Sequence, residues 1–184
     1  MAIEFTVKGA NDLYLDLNNT RLHVLVKISK ADKTNIDANT AASINLTLHS
    51  MFHEIGLELN GRNVGDTSQL YLYRSDLETL LNFSKKIQEP PLLSEGWTQG
   101  SSAHMGVTAI GGNNAGLNTR ATKFARSAVV ELICRPNLDI FQQVRLISLN
   151  IDLNMRLIPS PNDFVCKSAA PAQGGQQVNY KFVI

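Results

Sequence analysis

An antiparallel β-sandwich carrying one short helix and long surface loops is the fold class this sequence predicts. Apolar residues alternate with polar ones in segment after segment, the period of a half-buried strand. Turn residues separate those segments, the Asn60-Gly61 pair most clearly, because both tolerate the positive φ angles of a tight hairpin. Helical periodicity is confined to one stretch, so helices do not alternate with strands as a β-α-β arrangement requires.

The first strand is read at Ile3, Phe5 and Val7, which share one face of "IEFTV". In "RLHVLVKI", Leu22, Val24, Val26 and Ile28 face one way, with Arg21, His23 and Lys27 opposite. "INLTLHS" alternates Ile44, Leu46 and Leu48 and predicts a strand. "IGLELNG" alternates Ile55, Leu57 and Leu59 up to the Asn60-Gly61 turn.

Ser75 followed by Glu78 has the spacing of a capping box, and predicts a short helix that docks through Leu77, Leu80 and Leu81 and ends near Lys85 and Lys86, before Pro90-Pro91. From about 90 to 120 the chain is rich in glycine and lacks periodicity, which predicts a long surface loop. "SAVVELIC" is apolar on both faces except for Glu131 and predicts a central strand. "IDLNMRLI" turns Ile151, Leu153, Met155 and Leu157 inward and ends at Pro159 and Pro161. A flexible segment at about 168–177 precedes a last strand in "NYKFVI".

A chain of 184 residues, 43% hydrophobic, suits one domain spanning 1–184 with a sizeable core. A formal charge of +1 with no basic run gives no sign of a surface that tracks phosphates. No apolar run has the length of a membrane-spanning helix. The opening "MAIEFTVKGANDLYLDL" has no signal-peptide pattern, so an intracellular, non-secreted chain is expected, with Cys134 and Cys166 as free core thiols. The Asn-x-Ser/Thr triplets at Asn18, Asn45 and Asn82 are then chance matches.

Catalytic constellations find little support. On a strand, His49 and His53 stand too far apart to share one ion, and no third ligand is near in sequence. "GGNNAG" lacks the Gly-Lys-Ser/Thr ending of a phosphate loop, and no Gly-x-Ser-x-Gly elbow occurs. Asp12 with Asp16, and Asp76 with Glu78, sit in turn or cap contexts. Trp97, the only tryptophan, is either an exposed anchor for a partner or part of the packing of its loop. No cofactor, no metal and no enzymatic activity are expected.

The order of "DLYLDLNNTRLHVLVKI", "LHSMFHEIGLELNGRNV", "LYLYRSDLETLLNF", "RPNLDIFQQVRLI" and "IDLNMRLIPS" resembles the hexon-like major capsid proteins of Polinton (Maverick) elements and adintovirus-type viruses, across nearly the whole chain. The resemblance implies a viral jelly roll, the first of the two sandwiches in such proteins, and partners that are copies of itself in trimeric capsomers. It implies a place in the virion if the chain acts as a capsid protein.

The family pattern has Tyr-Pro-Tyr-Arg where Tyr71-Leu72-Tyr73-Arg74 stands, Gly at Cys134, His at Asn137 and Gln-Glu-Arg at Gln143-Val144-Arg145. These departures, with only one sandwich, imply a truncated or host-integrated derivative. Arg135, Asp139, Phe141 and Arg145 match the family motif and are expected to shape a strand-turn-strand corner. Asn60 and Gly61 make the hairpin, Ser75 and Glu78 the cap, and Leu77, Leu80 and Leu81 the helix contact. The alternative function is a non-catalytic jelly-roll module binding carbohydrate or protein. A cupin-type enzyme would need a His and carboxylate cluster that His23, His49, His53 and His104 do not spell out.

Overall fold

A computed structural model describes residues 2–10, 14–65, 69–83, 92–148, 150–168 and 180–183. In chain order its strands are β1 (Ile3–Val7), β2 (Leu22–Lys30), β3 (Ala41–Ser43), β4 (Phe52–Leu59), β5 (Arg62–Asn63), β6 (Val130–Cys134), β7 (Leu153–Pro159), β8 (Cys166–Ser168) and β9 (Tyr180–Val183). The helices that bear on the site are α1 (Thr47–Ser50), α2 (Tyr71–Asn82), α3 (Ala115–Lys123) and α4 (Asn162–Val165).

The strand pairings are antiparallel. Four strands run in the order β1-β7-β4-β5, three in the order β6-β2-β9, and β3 pairs with β8. Leu22, Val24, Val26 and Ile28 of β2 share one core with Phe52, Ile55 and Leu57 of β4 and Leu153, Met155 and Leu157 of β7. The described chain is thus mostly strand in antiparallel sheets with a few short helices, and its sheets meet through apolar faces in a sandwich-like way.

Alternation builds β2 and β7 as expected, since every second side chain of a strand meets the core. Ile151 lies just outside β7. The Asn60-Gly61 hairpin forms with φ 49° and 74°, and Leu59 stands opposite Arg62 across it. In β4 a bulge between Phe52 and Glu54 resets the phase, so that Phe52 and Ile55 both face inward.

Five expectations need correction. Residues 44–50 are not a strand: Leu46 adopts a left-handed conformation with φ 52°, and Thr47 begins the single turn α1. The run ending at Cys134 is an edge strand in its sheet order, with Glu131 and Ile133 exposed on its outer face. Ser75 caps nothing, because α2 already starts at Tyr71 and the Ser75 hydroxyl donates to the Tyr71 carbonyl inside the helix.

Leu77, Leu80 and Leu81 do not dock α2, being 58%, 56% and 82% exposed. The buried face is Tyr71, Leu72, Ser75 and Thr79. The glycine-rich stretch is not all loop, since it leads into α3, whose first turn is capped by the Asn114 side chain accepting from Leu117 N–H. Helices are therefore several rather than one. Lys85, Lys86, Pro90, Pro91 and nearly all of the 168–177 segment lie outside the described residues.

Candidate functional site

The residues best placed to do chemistry gather where α1, α2, β6 and the corner after β6 meet. β6 ends at Cys134, and Asp139–Gln142 then make one 3₁₀ turn before the chain heads toward β7. Phe141 anchors that turn in the core at 1% exposure. α2 lies against the corner through two side chains one turn apart, Tyr71 and Arg74.

The Tyr71 hydroxyl accepts the Asn137 backbone N–H at 3.0 Å and lies 2.7 Å from His49 Nδ1. On the other side of the ring, His49 Nε2 faces a Glu95 carboxylate oxygen at 3.3 Å. Both ring nitrogens are occupied. Burial opposes charge on His49, whereas Tyr71, Cys134 and Glu95 around it favour charge, and the balance raises its pKa well above the ordinary 6.5. Burial also raises the Tyr71 pKa, with His49 beside it acting in the opposite direction.

Arg74 forks between Glu78 Oε1, at 2.7 Å, and Asp139 Oδ1, and the two acceptors raise its pKa further. The expected role of Glu78 in a cap is thus replaced by an i, i+4 ion pair. Next to these groups opens a cleft of about 180 Å³ lined in part by His49, Glu78, Glu95, Arg135 and Asn137. Arg135, within that lining, donates from Nη1 to Asn18 Oδ1 at 2.8 Å. The cleft presents two carboxylates and a histidine whose ring nitrogens are both engaged.

Arg120 of α3 forms a second polar cluster. Its guanidinium donates from Nε to the Ser43 carbonyl at 2.8 Å and from Nη1 to Asn45 Oδ1 and Thr98 Oγ1. The acceptors are neutral, and burial lowers its pKa to about 10. The cluster ties α3 to β3 and to the loop at Thr98. Gly96, at φ 83°, lies so close to Thr47 that a Cβ there would sit 2.7 Å from the Thr47 Cβ.

Of the residues singled out in the sequence, the fold brings Glu78, Asp139 and Phe141 to the corner, with Arg135 at its start. Arg145 is exposed beyond the 3₁₀ turn, and Asn60 and Gly61 form a hairpin elsewhere. Leu77, Leu80 and Leu81 lie on the outer face of α2. Sequence reasoning missed the linkage of His49 with Tyr71 and Glu95, and the anchor at Arg120. The capping Asn114 with Leu117, Ala121 and Phe124 at helical spacing was the signal for α3.

His53 is engaged apart from His49, its Nδ1 lying 2.9 Å from the Pro159 carbonyl. Among the described residues no three His, Cys, Asp or Glu side chains are placed to hold a metal ion, and no helix is long and apolar enough to cross a membrane. Cys134 and Cys166 are free and buried, and burial pushes the Cys166 thiol up to about 12. Trp97 is buried against Leu46 and Leu92. No protein-family model matches the chain, and no curated protein matches it.

Proposed function

We propose that this chain is a structural protein, a jelly-roll domain of the capsid type whose work is packing against copies of itself, with no bond made or broken. The observation that carries this reading is the outward face of α2, where Leu77, Leu80 and Leu81 continue a stripe with exposed Leu70 and Tyr73. Contiguous apolar surface of this kind is a mark of interaction sites.

Two further observations support it. The polar groups with chemical potential, His49, Arg74 and Arg120, are each engaged in holding elements together. The antiparallel sheets with a common apolar interior are the architecture of a rigid building block. The resemblance to hexon-like capsid proteins points the same way, toward trimeric capsomers in a virion, or toward an intracellular derivative kept by a host. The binding-module alternative drew on an exposed Trp97, which is buried.

Size-exclusion chromatography with light scattering over a range of concentrations tests the proposal. Masses that are multiples of 20.2 kDa and grow with concentration are expected. A monomer that persists at high concentration overturns it.

A further inference from the structure

The cleft beside the corner presents more hydrogen-bonding groups than its own contacts use. Glu78 meets Arg74 through Oε1 and Glu95 meets His49 through Oε2, which leaves one oxygen of each carboxylate to accept. Gln142 Nε2 donates to Asn137 Oδ1 at 3.0 Å, so Gln142 keeps its carbonyl and Asn137 its amide N–H groups. Arg135 uses Nη1 on Asn18 and keeps the rest of its guanidinium. Thr79 is 6% exposed and lines the cleft, yet among the described residues its hydroxyl has no hydrogen-bond partner. Such a group costs free energy unless something in the cleft supplies a partner.

The charges decide the kind of ligand. Each carboxylate is already paired with a cation, which weakens its draw on a cationic ligand, while the two together oppose an anion approaching Arg135. A neutral ligand remains. The open donors and acceptors are mixed, which suits hydroxyl groups, since each of these both donates and accepts. One wall is apolar, made by Phe83 and Leu92 and packed from behind by Leu46 and Trp97. A sugar ring carries the matching pair of surfaces, hydroxyl groups around its rim and C–H bonds across its face for an aromatic ring to meet. At about 180 Å³ the cleft suits one such ring.

We propose that this cleft binds a single neutral sugar ring, with its C–H face on Phe83 and its hydroxyl groups on Glu78, Thr79, Glu95 and Asn137. The polar groups are held in place before a ligand arrives, by Arg74 behind Glu78, His49 behind Glu95 and Gln142 behind Asn137, which lowers the ordering cost of binding. The site goes beyond self-association and does not depend on it. Glu78, Thr79 and Asn82 line the cleft from a different face of α2 than Leu77, Leu80 and Leu81.

The test titrates the full chain, its amide nitrogens isotopically labelled, with the methyl pyranosides of glucose, galactose, mannose and N-acetylglucosamine. At least one is expected to shift the side-chain amide signals of Asn82, Asn137 and Gln142 and to saturate in the millimolar range. Thr79→Val keeps the shape of the side chain and removes its hydroxyl, and should weaken that binding about fivefold, the worth of one hydrogen bond. Asn82→Ala, at an exposed position, should weaken it too, and decides the matter if Thr79→Val does not fold. Both variants should keep the light-scattering mass of the unaltered chain, which separates this site from self-association. No saturable shift with any of the glycosides overturns the proposal. So does saturation by acetate or methylguanidinium but by no glycoside, and so does an affinity that both variants leave unchanged.

Discussion

The Tyr71 hydroxyl bridges two elements that are distant in sequence, lying 2.7 Å from His49 Nδ1 while accepting the Asn137 N–H at 3.0 Å. One atom thereby links α1, α2 and the corner after β6. Tyr71→Phe keeps the ring and removes the oxygen, leaving a buried histidine nitrogen and a backbone N–H without their partner. A loss of about 1–3 kcal/mol is expected, the cost of stranding buried polar groups. Urea unfolding read by circular dichroism checks it, and an unchanged midpoint contradicts the bridge.

Stability should depend on pH through His49. Its pKa is raised in the folded state, where Tyr71, Cys134 and Glu95 outweigh the opposing effect of burial. The folded chain thus holds the proton more tightly than the unfolded one. That contribution is complete below the ordinary value of 6.5 and is lost as pH climbs through the raised folded value. Melting temperatures measured from about pH 6 to about pH 9 should fall with rising pH, and His49→Gln should flatten that slope.

Two glycines at positive φ should respond differently to alanine. At Gly61 a Cβ meets nothing within 4 Å, so Gly61→Ala is charged only with the left-handed backbone, about 1–2 kcal/mol. At Gly96 the same backbone term is joined by a clash with Thr47, whose Cβ is 2.7 Å away. Gly96→Ala should therefore be the more destabilising of the two in parallel denaturant titrations. Equal midpoints would rule out the close approach of the 96 loop to α1.

The outer leucines of α2 should be dispensable for folding. Leu80→Lys and Leu81→Lys alter exposed positions and should shift stability by no more than about 0.5 kcal/mol. The same changes should lower the mass seen by light scattering if the stripe takes part in association. A large drop in thermal stability would instead place these side chains in the core.

Asn60 and Gly61 could be read from the sequence because their conformation is local: the turn needs two positive φ angles and these residues supply them. The alternation of β2 and β7 was legible for a similar reason, since each strand buries one face continuously. The corner was legible only as the set Arg135, Asp139, Phe141 and Arg145. Its real partners, His49, Tyr71, Arg74 and Glu95, come from other segments, and no spacing along the chain announces them.

The sequence alone determined the strand-rich, antiparallel character of this protein and its sharpest turn, because strand period and turn chemistry act between near neighbours. Tertiary structure decided the rest. Residues 44–50 alternate like a strand, yet Arg120 claims the Ser43 carbonyl and Gly96 presses on Thr47, so the chain coils there into α1. α2 carries a leucine stripe suited to a core, yet Tyr71 and Arg74 hold its roll with that stripe outward. In both places a few directional hydrogen bonds between distant residues override a local apolar pattern, because a pattern says which side is greasy and only the assembled neighbours fix which side is inside.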